Sequence, residues 1–442
     1  MFDGIGNTVD NSVIIIEGGR IQSIGNQELE IPDNAKVIDV SGKFITPGLV
    51  DAHIHFAQTG FFDGRPDVVD LRDSINFKQL QDELKNNPDT YYEAYLRSGV
   101  TAVYDVGGFP WSIKRQVSAE KNLNAPHVAA AGPLFSAYSE ERLSPFNTME
   151  EKQMIHLSSP EFGRETVREH TKYGSTGIKV WGVQLSDTTF MKSLKAVADE
   201  TTLLGNKLIV HATSLDQAKE ALRLGAKVLV HSVDDLVVDE EFIQLAKAND
   251  VIYLPTLTVV RGYLKTFRSL QKERIVKDPN NVMDKRSKEF LKSSTAFYSF
   301  YPSEVDLDEQ MLGFEQRINK TEGVMSINLK KIYESGITIA VATDAGNPGT
   351  FHGISIYDEM EAMQKAGISA KDIIIMATKN GASAMERSKD FGTLENGKMA
   401  DLIIMDEDPL KDITNMRSIS HVMRGGLLRK VNEPFTKEPN NE

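Results

Sequence analysis

The chain has 442 residues, 40% hydrophobic and 26% charged, with 32 Gly and 16 Pro, a usage typical of folded globular proteins and unlike disordered, collagenous or membrane-embedded sequences. A formal net charge of −13, with no dense Lys/Arg tract, argues against a nucleic-acid surface, which needs a basic face. No cysteine is present, so a bound metal would have to rely on His, Asp, Glu or a modified Lys, and no apolar run approaches the roughly 18 residues needed to span a bilayer.

At the start, NSVIIIEGGRIQSIG and AKVIDVSGKFITPG read as short β-branched strands broken by Gly-Gly and Ser-Gly turns. The same texture returns at the end in ADLIIMDEDPL and ISHVMRGGLLRK. Residues 1–46 and 399–442 are therefore expected to pair into one small composite β-sandwich domain. Across 47–398, short apolar strands alternate with amphipathic helical windows such as FMKSLKAVADETTLLG and SLDQAKEALRLG, the pattern of parallel strands joined by crossover helices. Eight strands can be counted: LVDAHIH, VTAVYDV, HVAAAG, TGIKVW, KLIVHA, KVLVHS, VIYLP and ITIAVATD. The fold class expected is α/β, a TIM-type (β/α)8 barrel. From Arg261 to about Glu322 the chain is rich in Lys, Arg, Glu and aromatics and exceeds an ordinary βα loop. This segment, 261–322, is expected to be a mostly helical insertion on the catalytic face, a candidate lid.

His53 and His55 lie two apart on the first barrel strand, and the strand period of two aims both at the same side. His211, His231 and Asp344 end the strands KLIVHA, KVLVHS and ITIAVATD, so all five would converge on one mouth. Core packing explains one such placement but poorly explains five. Lys179, inside the apolar strand TGIKVW, would carry a charge that burial disfavours. Either it snorkels to solvent, or its neutral amine captures carbon dioxide to form a carbamate that bridges two cations. On the second reading His53, His55 and Asp344 hold one ion, His211 and His231 the other, and carboxylated Lys179 and a hydroxide bridge both. Asp344 would be the general base, passing a proton to the leaving nitrogen.

PGLVDAHIHF, the lysine of TGIKVWG, the two strand-end histidines and TDAGNPGTFHG resemble the amidohydrolase superfamily, in particular its imidazolonepropionase-like and prolidase-like members. The tail ATKNGASAMERSKDFGTLENGKMADLIIMDEDPL resembles the segment by which those enzymes re-enter their β-sandwich. The resemblance implies a barrel-plus-sandwich fold, divalent metal (usually zinc) and hydrolysis of C–N bonds. Lys179 favours the two-metal, prolidase-like branch. Two departures stand out: AGPLFSAYSEERL lacks the Gly-Gly-His turn of many such relatives, and the chain opens at MFDGIG where relatives have another strand, as if trimmed after a leader.

Three further residues are candidate substrate contacts, each with an alternative. Trp181 either walls the pocket or packs in the upper barrel, Arg65 either holds a substrate carboxylate or is solvated, and His352 either contacts substrate or bonds locally at a helix start. His127 precedes its strand and belongs to the opposite end of the barrel. The expected activity is hydrolysis of an amide of a dipeptide, N-acyl amino acid or cyclic amide; lactone or phosphoester hydrolysis and a non-catalytic assembly role are the alternatives. A small-molecule or dipeptide-like partner is expected, without nucleic acid or membrane. A homo-oligomer is compatible with the sequence, and location is cytoplasmic by default or periplasmic or secreted if a leader was removed.

Overall fold

In the computed structural model, which describes residues 1–148, 150–301, 306–433 and 435, the two chain ends and the middle build separate sheets. Residues 302–305 of the expected insertion and 436–442 of the expected terminal domain lie outside the described residues. An antiparallel pair, β1 (Val13–Glu17) and β2 (Arg20–Gly25), faces a four-stranded sheet begun by β3 (Phe44–Pro47).

The parallel strands follow. They are β4 (Leu49–Ile54), β5 (Val100–Asp105), β6 (His127–Ala130), β7 (Leu134–Ser136), β8 (Met154–His156), β9 (Ile178–Trp181), β10 (Leu208–His211), β11 (Val228–Val230), β12 (Ile252–Leu254) and β13 (Thr338–Ile339). They pair in two runs, β4-β5-β6 and β13-β12-β11-β10-β9-β7-β8. Backbone hydrogen bonds close both seams. Thr176 N donates to Ala130 O at 3.0 Å between β6 and β9, and Ala52 N donates to Val341 O at 3.0 Å between the first and last strands. The result is an eight-stranded barrel with helices such as Thr188–Leu203 and Leu215–Arg223 outside it. Parallel strands buried on both faces need near-continuous apolar sequence, which LIVH and VLV supply.

Two strands were not among the eight expected. The third barrel strand breaks at Gly132, in a left-handed conformation (φ +76°), and at Pro133, which has no N–H to donate. The chain resumes as β7 beside β9, and β8 adds to it.

The remaining strands β14 (Leu402–Met405), β15 (Ile419–Arg424) and β16 (Leu427–Lys430) complete the four-stranded sheet, with β3 antiparallel to β14. Ile21, Ile45, Leu402, Ile404 and Met423 bury its inner face with β2, so residues from both chain ends make one sandwich. After β12, helices Val259–Ser269, Lys285–Ser293 and Leu307–Glu334 carry the chain over the barrel mouth. They share an apolar core with the first βα loop, where Phe61 and Phe62 meet Phe267 and Phe290. Among the described residues no helix is long and apolar enough to cross a membrane.

At the closed end of the barrel, His127 joins the two domains. Its Nε2 contacts Asp401 Oδ2 at 2.8 Å and its Nδ1 contacts Glu120 Oε1 at 2.8 Å, with Arg424 also within reach. Burial opposes protonation of His127, but Asp401 and Glu120 outweigh it and raise its pKa. Burial likewise opposes ionisation of Glu120, yet His127 and Arg387 pull its carboxyl down to about 2. A raised histidine contributes stability that is complete below its unfolded value of about 6.5 and is lost as pH rises through the folded value; a depressed carboxyl loses its contribution as pH falls from about 4.5 towards 2. Melting temperature should therefore decline above about pH 6.5 in the wild type, and His127→Gln should flatten that limb. An identical decline in the variant would refute the assignment.

Candidate active site

The barrel interior and its outer shell are filled by opposite strand faces. Val50 and Ala52 lie in the inner cluster while Leu49 and Ile54 lie in the outer one. His53 and His55 have the wrong parity for the interior by simple alternation. The β4–β5 register slips between Asp51 and Ile54, and that irregularity brings both imidazoles round to the mouth. On β9, Ile178 and Val180 face outward, which leaves Lys179 and Trp181 facing the cavity. His211 follows the inward Ile209, whereas His231, one residue past the inward Val230, reaches the mouth through a left-handed φ of +74°. Asp344 also has a positive φ, +58°. Such backbone costs of order 1–3 kcal/mol and persists where surrounding structure fixes it. Here Asp344 N donates to His53 O at 2.8 Å and Thr350 Oγ1 donates to Asp344 O at 2.9 Å.

The ligand atoms of His53, His55 and Asp344 all lie within 4.8 Å of one another. His55 Nδ1 sits 2.6 Å from Gly107 O. A carbonyl can only accept, so Nδ1 carries the proton and, in the neutral imidazole, Nε2 presents a bare lone pair. That lone pair lies 3.0 Å from Asp344 Oδ1 and 3.1 Å from His53 Nε2, and Asp344 Oδ1 is buried with no hydrogen-bond donor. With neutral imidazoles, acceptors that face one another in a buried site are matched by a cation between them, so the residues fit a metal ion. The second pair adjoins the first: the His231 ring is 5.3 Å from that of His53 and 4.3 Å from that of His211. Burial lowers the pKa of His53 and His211 far below the ordinary histidine range and brings His231 to about 4, keeping these imidazoles neutral, as metal ligands must be.

Lys179 is 2% exposed, and its Nζ is buried without a hydrogen-bond partner. Burial pulls its pKa down to about 7, against the opposing charge of Asp344. It does not snorkel.

All six residues line one cavity of about 490 Å³. Trp181 also lines it, edge-on to Tyr138 and Phe146 at 5.5 Å. Arg65 reaches the cavity, half-buried, with its donors already engaged. Its Nε and Nη2 grip Asp67 at 2.8 Å each, and Nη1 donates to Tyr263 and Asn347. Of the two readings for His352, substrate contact or local bonding, its surroundings match the local one. It is fully buried below the mouth, with Nε2 on Gln58 O at 2.8 Å and Nδ1 on the Tyr95 hydroxyl at 2.7 Å, because the chain after Asn347 turns away from the cavity and packs His352 between Phe56 and Tyr91.

Sequence reasoning missed a support for His231. Thr256 Oγ1 lies 2.7 Å from His231 Nδ1. The loop that carries Thr256 is pinned by the buried Glu359 carboxyl, which accepts from Leu257 N, Thr258 N and Thr258 Oγ1 at 2.7–3.0 Å. Glu359 is about 100 residues away in sequence, and its only signal was a carboxyl on the apolar face of the helix Ser355–Lys365. Missed too were Arg317, which pairs with Asp234 at 3.2 Å, and Tyr263 and Phe314, which roof the cavity from the insertion.

The profile of the amidohydrolase family matches residues 44–428. Imidazolonepropionase of Treponema denticola is 24% identical over 451 residues, covering 94% of this chain and 91% of that protein. Ochratoxinase of Aspergillus niger is 22% identical over 471 residues, covering 97% and 85%. Among solved structures, a Xaa-Pro dipeptidase with bound methionine in the active site superposes with a TM-score of 0.70 at 21% identity, covering 97% of each chain. Phenylurea hydrolase B superposes with a TM-score of 0.67 at 19% identity, covering 99% and 98%.

Thr256→Val keeps the side-chain shape and removes the hydrogen bond to His231. Loss of such a support typically weakens metal binding about ten- to a hundredfold. Competition with a chelator should show that loss, with the metal-free variant melting close to the wild type; undiminished affinity would remove Thr256 from the site.

Proposed function

The chain belongs to the amidohydrolase family, whose members hydrolyse carbon–nitrogen bonds with divalent metals, and we propose that it hydrolyses an amide bond of a small substrate such as a dipeptide, an N-acyl amino acid or a cyclic amide. The observation that carries this reading is the bare-lone-pair contact of His55 with Asp344 beside a buried, unpartnered Lys179. His53, His55 and Asp344 would hold one divalent cation and His211 and His231 a second, with zinc the expected ion for imidazole and carboxylate donors. When bound, the pair supplies Lewis acidity and a water acidic enough to attack at neutral pH.

Lys179 suits the bridging position because burial lowers its pKa to about 7, so that a large share of its amine is neutral at that pH. The nitrogen adds carbon dioxide and releases one proton, which gives a carbamate with two donor oxygens. Asp344 would take the proton from the attacking water on a carboxylate oxygen and hand it to the leaving nitrogen, so that an amine departs. Trp181, Phe146 and Met154 form an apolar wall, and Tyr263, Phe314 and Met325 close the cavity from the insertion, excluding water and selecting substrate by shape.

Three measurements test the reading. Metal-stripped protein reloaded with Zn²⁺, Mn²⁺ or Co²⁺ should bind about two ions per chain and hydrolyse members of an amide panel. Activity confined to lactones or phosphoesters, or none at full loading, would reject it. Asp344→Asn should lower kcat by about 10²–10⁴ with the fold intact, and near-normal turnover would sink the assignment. Phe314→Ala should raise KM about tenfold for substrates with large apolar groups, the worth of one lost apolar contact, while kcat holds; unchanged selectivity would reject the lid.

A further inference from the structure

Six charged side chains line the catalytic cavity, three of each sign. Lys179 and Asp344 belong to the histidine cluster. Arg65 and Asp67 close on each other through two contacts of 2.8 Å, and the other edge of Arg65 serves Tyr263 and Asn347. The third pair is built differently. A single contact of 3.2 Å joins Arg317 Nη2 to Asp234 Oδ2, and the Arg317 side chain is 50% exposed. Among the described residues its Nε and Nη1 make no hydrogen bond. The positions three and four away on its helix, Gly313, Phe314, Lys320 and Thr321, offer no carboxylate.

Both partners are placed by the fold. The helix Leu307–Glu334 carries Gln310, Phe314 and Arg317 at intervals of four and three, so one helix face turns all three to the cavity. Asp234 is fixed on the barrel side: three residues past His231, its N–H donates to Thr213 O at 2.8 Å, two residues past His211. Its side chain is only 16% exposed. A fixed acid thus orients an accessible guanidinium beside the ends of β10 and β11. Burial first, and the Arg317 charge among the lesser causes, hold His211 and His231 below the ordinary histidine range. The guanidinium therefore stands within electrostatic range of both.

We propose that Arg317 binds a substrate carboxylate, and that the substrates are amides bearing one free carboxylate, of the N-acyl amino acid class. The inference rests on the amide reading of the same cavity and narrows it. A guanidinium carries donors on more than one edge, so it can keep Asp234 on one and receive a second carboxylate on another. A cation that already faces one acid matches a monoanion; a phosphate dianion would add a larger excess of negative charge beside Asp234. An ammonium group would meet the more exposed Arg317 charge on its way to the less exposed Asp234.

The test compares a set of N-benzoyl amino acids with the matching carboxamides, which keep the shape and lose the charge, by benzoate release from the metal-loaded enzyme. The carboxylates should show a KM about tenfold lower, as for one charge-assisted hydrogen bond. Arg317→Met should erase that preference by raising the KM of the carboxylates while kcat holds, the mark of a contact made equally in ground and transition states. Asp234→Asn keeps an acceptor for Nη2 and removes the competing charge, so the KM of the carboxylates should fall severalfold. Calorimetric titration of the metal-free protein with the same pairs reads the preference without turnover. If no compound is cleaved, the amide reading fails, and the titration alone decides the role of Arg317. No preference in the wild type, a preference that survives Arg317→Met, or a higher KM for the carboxylates in Asp234→Asn overturns the proposal.

Discussion

With His55 Nδ1–H donating to Gly107 O, the neutral imidazole turns a bare nitrogen towards a carboxylate oxygen 3.0 Å away inside the protein. Neither can donate to the other, and water has little access. The arrangement is unfavourable until a cation occupies it. The surroundings follow the same logic: neutral histidines, a lysine that burial has moved to about 7, and no donor for Asp344 Oδ1. A set of ligands kept from satisfying one another is preorganised to bind metal, because little must be broken when the ion enters.

Keeping them apart is the task of the barrel. Its strands are locked by the inner alanine-rich cluster and by the outer helices, so local irregularities can be imposed where function needs them. The register slip at Asp51–Ile54 and the left-handed His231 and Asp344 all occur at strand ends on the same mouth, where a βα loop can absorb them. Asp51 shows how a slip is held: its buried carboxylate accepts from Thr343 N at 3.0 Å and Thr343 Oγ1 at 2.6 Å, tying the first strand to the last beside the ligands each contributes.

The sequence made the fold class and the six converging residues legible because both depend on periodicity. Continuous apolar strands identify a parallel barrel, and a polar residue that ends such a strand can only lie at the mouth. Periodicity gave the right side for His53 and His55 relative to each other but not the slip that turns them inward. Proximity in sequence left two readings for His352, eight residues beyond Asp344, and could not choose between them, because a loop can leave the mouth within that distance and bury its histidine on Tyr91 and Tyr95. For Arg65 the sequence offered a solvated loop residue or a substrate contact, and only the tertiary fold shows Asp67, Tyr263 and Asn347 engaging its donors. Thr256 and Glu359 had no local signature, since a support is defined by what it touches.

Chemistry and selectivity therefore rest on different parts of the chain. The ligands sit on rigid strand ends, while the cavity wall is assembled from the first βα loop, β9 and the insertion. The charges of that wall are largely cancelled in pairs, Arg65 with Asp67 and Arg317 with Asp234. The two pairs are not equivalent. Arg65 is mostly buried and uses both edges of its fork, whereas Arg317 is half exposed on the insertion helix and commits one nitrogen at 3.2 Å. An exposed single contact is worth about 1 kcal/mol or less, so a substrate can displace it at little cost, whereas releasing Arg65 would leave buried partners unsatisfied. Any charge recognition at this mouth is thus concentrated on the insertion side, and the barrel side is left to shape and to the histidine–carboxylate cluster.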